Sequence, residues 1–177
     1  MNFYRRRFNL YFLPAALLLL AAGCALLKKT HEQTGAVRIH VENGAGASGT
    51  GQSISVIRSQ PVMVNIGLQP ILTEADLLAV RLRETPGGFA VELQFDNAGS
   101  WTLEQFSAAN PGRHLAIFGQ WGKTAADGRW LAAPLITGRI ASGTLIFTPD
   151  ASREEAELLV KGLGVVATNN AGTRSKE

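Results

Sequence analysis

The chain has 177 residues, 46% of them apolar and 18% charged, which suits one ordinary domain with a real core and excludes a wholly disordered chain. Its formal net charge of +3 comes from the N-terminal stretch: Arg5, Arg6 and Arg7 precede Cys24 and no acid does, leaving 14 Lys and Arg against 14 Asp and Glu from Cys24 onward. That balance removes the basic character a nucleic-acid partner would require, so none is expected.

The first 23 residues carry the parts of an export signal. Arg5-Arg6-Arg7 is a positive start, Leu10 to Ala22 is a mostly apolar run, and Ala21-Ala22-Gly23 closes it on small residues before Cys24. A run of about 13 residues is short for ~30 Å of hydrocarbon, which disfavours a permanent transmembrane helix. Arg5-Arg6-Arg7-Phe8 partly matches a twin-arginine signal, but Asn9 departs from that pattern and a general secretory signal is the better fit. Leu20-Ala21-Ala22-Gly23-Cys24 resembles the lipobox of bacterial lipoproteins, with Ala21 where Leu is usual. Cys24 is the only cysteine, so in an oxidising compartment it has no disulfide partner but makes sense as a lipid-attachment site carrying diacylglycerol and palmitate. Ala25 is not the Asp that marks inner-membrane retention, so the periplasmic face of the outer membrane is expected, with the inner membrane as the alternative.

Residues 24–35 are expected to be a polar tether. Ala36 to Glu42 alternates apolar and polar residues, the mark of a half-buried strand. Asn43 to Gly51 is glycine-rich without a phosphate-loop lysine and is predicted to be a flexible hairpin loop. Ser53 to Arg58 and Val62 to Ile66 are predicted strands flanking Pro61. Thr73-Glu74-Ala75-Asp76 predicts a capped turn of helix. Leu78 to Glu84 and Phe89 to Phe95 alternate on either side of Pro86-Gly87-Gly88, the best hairpin in the chain. Ser100 to Asn110 predicts a short helix ended by Pro111-Gly112, and Leu115 to Trp121 a central apolar strand. Gly122 to Gly128 is a polar loop, followed by predicted strands over Trp130 to Ile136 and Thr144 to Thr148. Ser152 and Glu155 have capping-box spacing at the head of a final helix, with Ala156, Leu159, Val160 and Leu163 on its apolar face. From Thr168 the composition predicts a frayed tail. These elements predict an α+β fold: an antiparallel sheet with two helices packed on one face, preceded by extra N-terminal strands.

From about Pro61 to Gly164 the residues resemble the periplasmic P1 head region of SecD, a subunit of the SecDF preprotein translocase accessory complex. The resemblance rests on Pro70-Ile71-Leu72-Thr73-Glu74-Ala75-Asp76-Leu77, on Val91 to Gly99 (VELQFDNAG), on Gly112-Arg113-His114-Leu115-Ala116-Ile117, and on Ala133-Pro134-Leu135-Ile136 with Ile140, Gly143, Glu154-Glu155-Ala156 and Leu159. It implies a ferredoxin-like head subdomain and a surface that meets non-native or translocating polypeptide. The segment Gly119 to Arg129 is longer than the short Asp-Gly turn usual there and is flanked by Trp121 and Trp130. SecD's membrane domain, which couples proton flow to motion, has no counterpart in these residues, so no ion-driven activity is implied. The expected organisation is a signal peptide at 1–23, a tether at 24–35, N-terminal strands at 36–66, a P1 head-like domain at 67–167 and a disordered tail at 168–177.

No catalytic constellation stands out. His31 falls in the tether, while His40 and His114 fall at strand ends without metal-ligand spacing. Asp96 and Asp150 could pair as carboxylates, but acids beside turns more often cap backbone N–H groups. No cofactor and no metal are expected, and the chain is not expected to be an enzyme. Trp101, Trp121 and Trp130 are the candidate interaction surface, with Trp121 and Trp130 forming an exposed ledge at the base of the long loop; the weightier alternative is that all three complete the core. The expected function is a lipid-anchored periplasmic binding or scaffold module. Its expected partners are the membrane, through the lipid, and an envelope protein or unfolded polypeptide. The alternatives are an envelope hydrolase with an unrecognised site and an accessory factor in protein export.

Overall fold

The period-2 pattern of the N-terminal segment becomes strand β1, Ala36–Val41, with Val37 and Ile39 fully buried on one face and Arg38 and His40 on the other. The computed structural model describes residues 35–44, 51–122 and 127–174. Strand β1 is a central strand. It pairs antiparallel with β7 (Leu115–Gln120) on one side and with the two-residue β4 (Leu72–Thr73) on the other, and β8 (Gly128–Ala132) completes a four-stranded sheet of order β4-β1-β7-β8.

This pairing corrects the expectation that 43–51 forms a hairpin loop. Strand β2 (Gly51–Val56) pairs with β3 (Val62–Gly67) in a separate ribbon, and both edges of β1 belong to sequence-distant strands. The reason is burial: Leu115, Ala116 and Ile117 of β7 are all essentially inaccessible, and pairing with β1 places Ile117 opposite Ile39 in the core. The ribbon is attached where β1 ends, through the Asn43 N–H donating to the Asn65 carbonyl at 2.7 Å.

A third sheet, order β5-β6-β9, is built on the predicted hairpin: β5 (Leu77–Thr85) and β6 (Gly88–Phe95) pair with Thr85 opposite Gly88, so Pro86 and Gly87 alone make the turn. Gly88 has φ +142°, which a side chain would disfavour. Strand β9 (Thr144–Phe147) joins the other edge of β6.

Helix α1 (Asn97–Ala109) is capped by Asp96, whose carboxylate accepts from the Gly99 N–H at 2.7 Å. Helix α2 (Arg153–Arg174) opens on the capping box, with the Ser152 N–H donating to Glu155 at 2.8 Å and the Glu155 N–H donating to the Ser152 hydroxyl at 3.2 Å. Thr73 and Asp76 cap the short 3₁₀ turn Glu74–Asp76 in the same way. Helix α2 packs along β5, and α1 against β4 and β6. The α+β class, antiparallel pairing and extra N-terminal strands match expectation, with the strands divided among three sheets.

Several boundaries differ from the sequence prediction. Helix α1, expected from Ser100, begins at Asn97, because Asp96 caps a turn that starts three residues earlier. Helix α2 continues through Arg174 where a disordered tail was expected from Thr168. Its last turns dock: Ala167 is buried, and the Asn170 amide donates to the carbonyls of Glu74 and Ala75 at 3.0 and 3.3 Å. Strand β8 ends at Ala132, short of Ile136, because Pro134 has no N–H to donate. The chain still runs beside β7, with the Leu115 N–H bonded to the Pro134 carbonyl at 2.9 Å.

The main core lies between the four-stranded and three-stranded sheets and the helices, and includes Ile39, Ile117, Leu131, Leu93, Leu103 and Leu163. A second, smaller cluster of Ile54, Val56, Val64, Ile66 and Ala116 seats the β2–β3 ribbon on the opposite face of the four-stranded sheet, with Trp130 packed against it.

Candidate binding groove

The ribbon covers only part of that second face, and the remainder is a groove of about 450 Å³. Alternation creates its floor. Residues at every second position of β1 and β7 face away from the main core, so Arg38 stands directly across from Phe118, and Phe118 across from Trp130 of β8. Phe118 and Trp130 meet edge to face, centroids 5.5 Å apart at 70°. Gly128 makes room for this arrangement, since a Cβ there would lie 2.8 Å from the Phe118 ring. Leu68, Gln69 and Pro70, which follow β3, form one wall, and Gln52 of β2 adds an amide. Leu68 is 65% exposed.

His40 closes the floor beneath the ribbon. Its ring meets Trp130 edge to face at 5.5 Å, and its Nδ1–H donates to the Gly67 carbonyl at 2.8 Å. Burial holds the imidazole below its ordinary pKa; the Gly67 bond opposes this and the nearby Arg38 charge reinforces it. His40 is therefore neutral at neutral pH. No carboxylate lines the groove among the described residues. A second, more open depression of about 500 Å³ lies between β8 and β9, lined by Ile57, Ala132, Pro134 and Ile146 with no charged side chain. The first groove combines aromatic surface with convergent polar groups, which is what a recognition site requires.

The three tryptophans are placed differently. Trp130 lines the groove. Trp121 does not share an exposed ledge with it: Trp121 is 8% exposed in the main core, and the Arg129 guanidinium lies over its ring at 4.7 Å. Burying the indole there completes the seam between β8 and α2, where Arg129 also forms a bidentate pair with Glu155 (3.1 and 2.5 Å) and donates to the Asp150 carbonyl at 3.1 Å. Trp101 is 64% exposed on α1. Cys24, the export signal, the tether with His31, and residues 123–126 of the long loop lie outside the described residues.

The titratable groups singled out in the sequence are engaged in local structure. Asp96 caps α1. Asp150 accepts from the Arg58 backbone N–H at 2.8 Å and its guanidinium at 3.1 Å. Partial burial pushes the Asp150 carboxyl up, but the Arg58 contacts and Arg129 bring it below its ordinary value. His114 pairs with Glu42, Nδ1 to Oε2 at 2.7 Å. Burial pushes Glu42 up, and the His114 ring and N–H together with Arg113 pull it down further. Among the described residues, no three His, Cys, Asp or Glu side chains cluster as metal ligands. No helix among them is long and apolar enough to cross a membrane.

The sequence pattern did not single out Arg38, Phe118 or the 68–70 wall as site residues. The alternation in AVRIHVE does put Arg38 and His40 on one face; what it does not reveal is that a ribbon from further along the chain covers half of that face.

The antiparallel sheets, the two capped helices and the half-covered sheet face define a small α+β head module. Residues 52–165 match the model of the SecDF P1 head subdomain family, well over half of the chain, and the chain belongs to that family. Two solved structures share its fold. One is SecDF in a super-membrane-facing form, at 23% identity and TM-score 0.54, over 75% of this chain and 19% of that one. The other is described as a membrane component SecDF that enhances protein export, at 20% identity and TM-score 0.52, over 90% of this chain and 70% of that one. The chain thus spans about a fifth of the first of these. No protein with a curated description is significantly similar in sequence. Arg38 and His40 precede the matched segment, so the groove joins family strands to an N-terminal strand outside the match.

Proposed function

We propose that this chain is a non-enzymatic, envelope-facing module that contacts polypeptides in support of protein export, held by a lipid on Cys24 at the periplasmic face of the outer membrane. The observation that carries the polypeptide reading is the half-open aromatic sheet face within a SecDF P1 head fold. Support for the export context comes from the SecDF relative, described as enhancing protein export. The groove offers an unfolded segment aromatic surface for its apolar side chains, which water does not, and donors that can replace water on its carbonyls.

The test places a photo-crosslinking amino acid at Leu68, on the groove wall, in cells holding a translocation-arrested precursor. A precursor adduct from position 68, and none from Lys161 on the exposed side of α2, is the expected result. Equal adducts from both, or none from either, contradict the proposal. The tether is tested separately by metabolic labelling with a clickable palmitate analogue: wild type is expected to take up label, and Cys24→Ser to lose it. Label retained in the variant contradicts lipidation at Cys24, and fractionation with the inner membrane contradicts the outer-membrane placement.

A further inference from the structure

We infer that the groove prefers extended polypeptide segments carrying a large apolar side chain and, two residues away, a carboxylate. This rests on the polypeptide-contact reading above and adds a chemical preference to it. The preference follows from what the groove has and what it lacks. Arg38 is exposed and, like Arg81 and Arg113, makes no ion pair with a carboxylate among the described residues, whereas Arg58, Arg83, Arg129, Arg139 and Arg153 are each paired with an acid; of these arginines only Arg38 lines the groove. The Trp130 indole N–H has no acceptor among the described residues. No acid on the lining would repel a carboxylate, and neutral His40 adds no competing charge. A donor-rich, acid-free groove with one unspent guanidinium complements an anion.

Geometry supplies the spacing. Arg38, Phe118 and Trp130 occupy facing positions on three adjacent strands, so Arg38 and Trp130 are two strand spacings apart, roughly 10 Å. In an extended segment, residues i and i+2 point to the same side roughly 7 Å apart. A side chain seated against Phe118 and Trp130 therefore brings the i+2 carboxylate within reach of the long Arg38 side chain. A volume of about 450 Å³ suits a short stretch of such a segment.

The experiment measures fluorescence anisotropy of labelled octapeptides with the purified full chain. The probes are Gly-Ser-Phe-Gly-Asp-Gly-Ser-Gly and its counterpart with Lys in place of Asp. The Asp peptide is expected to bind about fivefold more tightly at low salt, as a partly exposed charge-assisted pair allows. The gap should narrow as salt is raised. Arg38→Gln is expected to erase the gap, by weakening the Asp peptide and relieving the repulsion of the Lys peptide, and Trp130→Leu to weaken both peptides. Because Arg38 is exposed, its variant keeps the fold, which an unchanged thermal midpoint verifies. Equal binding of both peptides, or a preference that survives in Arg38→Gln, overturns the selectivity while polypeptide contact stands. Binding of neither overturns both. Self-association of the chain that Arg38→Gln abolishes, with no peptide binding, would instead make the groove a surface for a second copy and also overturns the proposal.

Discussion

The two faces of the four-stranded sheet are built from alternate residues of the same strands, yet they end in opposite states. On one face Val37, Ile39, Leu115, Ile117 and Leu131 are sealed beneath a second sheet and α2. On the other, Arg38, Phe118 and Trp130 are only half covered by a two-stranded ribbon resting on a cluster of a few aliphatic side chains. One face has enough apolar area to hold the fold together. The other spends large aromatic side chains where they remain within reach of solvent. Aromatic surface left partly uncovered beside an unpaired cation costs stability and is useful only if something else covers it.

That contrast sets an order of expected effects. The largest falls on the sealed face: Leu131→Ala should cost about 2–5 kcal/mol in urea unfolding, because a fully buried leucine leaves a cavity. A cost below that of a typical surface substitution would mean that this face is not the core. Next comes the seam at the sheet's edge. Arg129→Met removes the Glu155 pair, the Asp150 carbonyl bond and the contact over Trp121, and should cost about 1–3 kcal/mol.

A smaller effect belongs to the half-covered face and depends on pH. His40 is held below its ordinary pKa, so the unfolded chain binds a proton more readily than the folded one. Its contribution is complete above the unfolded value of about 6.5 and is lost as pH falls from there toward the lowered folded value. Between about pH 7.5 and 5.5 the wild type should lose more stability than His40→Gln, measured by urea midpoints. Equal losses would show that His40 is not sealed by the ribbon. The smallest effect is expected at Trp101, which lies outside both clusters: Trp101→Ala should change stability by less than about 0.5 kcal/mol.

Local signals were legible where one segment decides its own structure. The Pro86-Gly87 hairpin and the Thr73 and Ser152 caps follow from side-chain chemistry within a few residues; Asp96 was legible as a backbone cap, but not as the start of a helix that was expected only from Ser100. The pairing of β1 was not legible, because alternation specifies the buried face of a strand but not its neighbours; burial of Ile39 against Ile117 decides that across the whole chain. The final helix was cut short at Thr168 because polar, glycine-containing sequence looks frayed in isolation. The docked Asn170 amide that extends it is a tertiary contact. The tryptophans divide by the same rule. Their number is evident from composition, but only the packing separates core Trp121 from groove Trp130 and exposed Trp101.

Those three indoles also provide the most direct test that the groove receives polypeptide. Each contributes one indole N–H resonance to a nitrogen-correlated NMR spectrum, assigned by single Trp→Phe substitutions. On titration with an unfolded, export-competent polypeptide, the Trp130 resonance should shift or broaden while Trp121 stays in place. A titration in which Trp130 is unmoved, or in which only Trp101 responds, would contradict it.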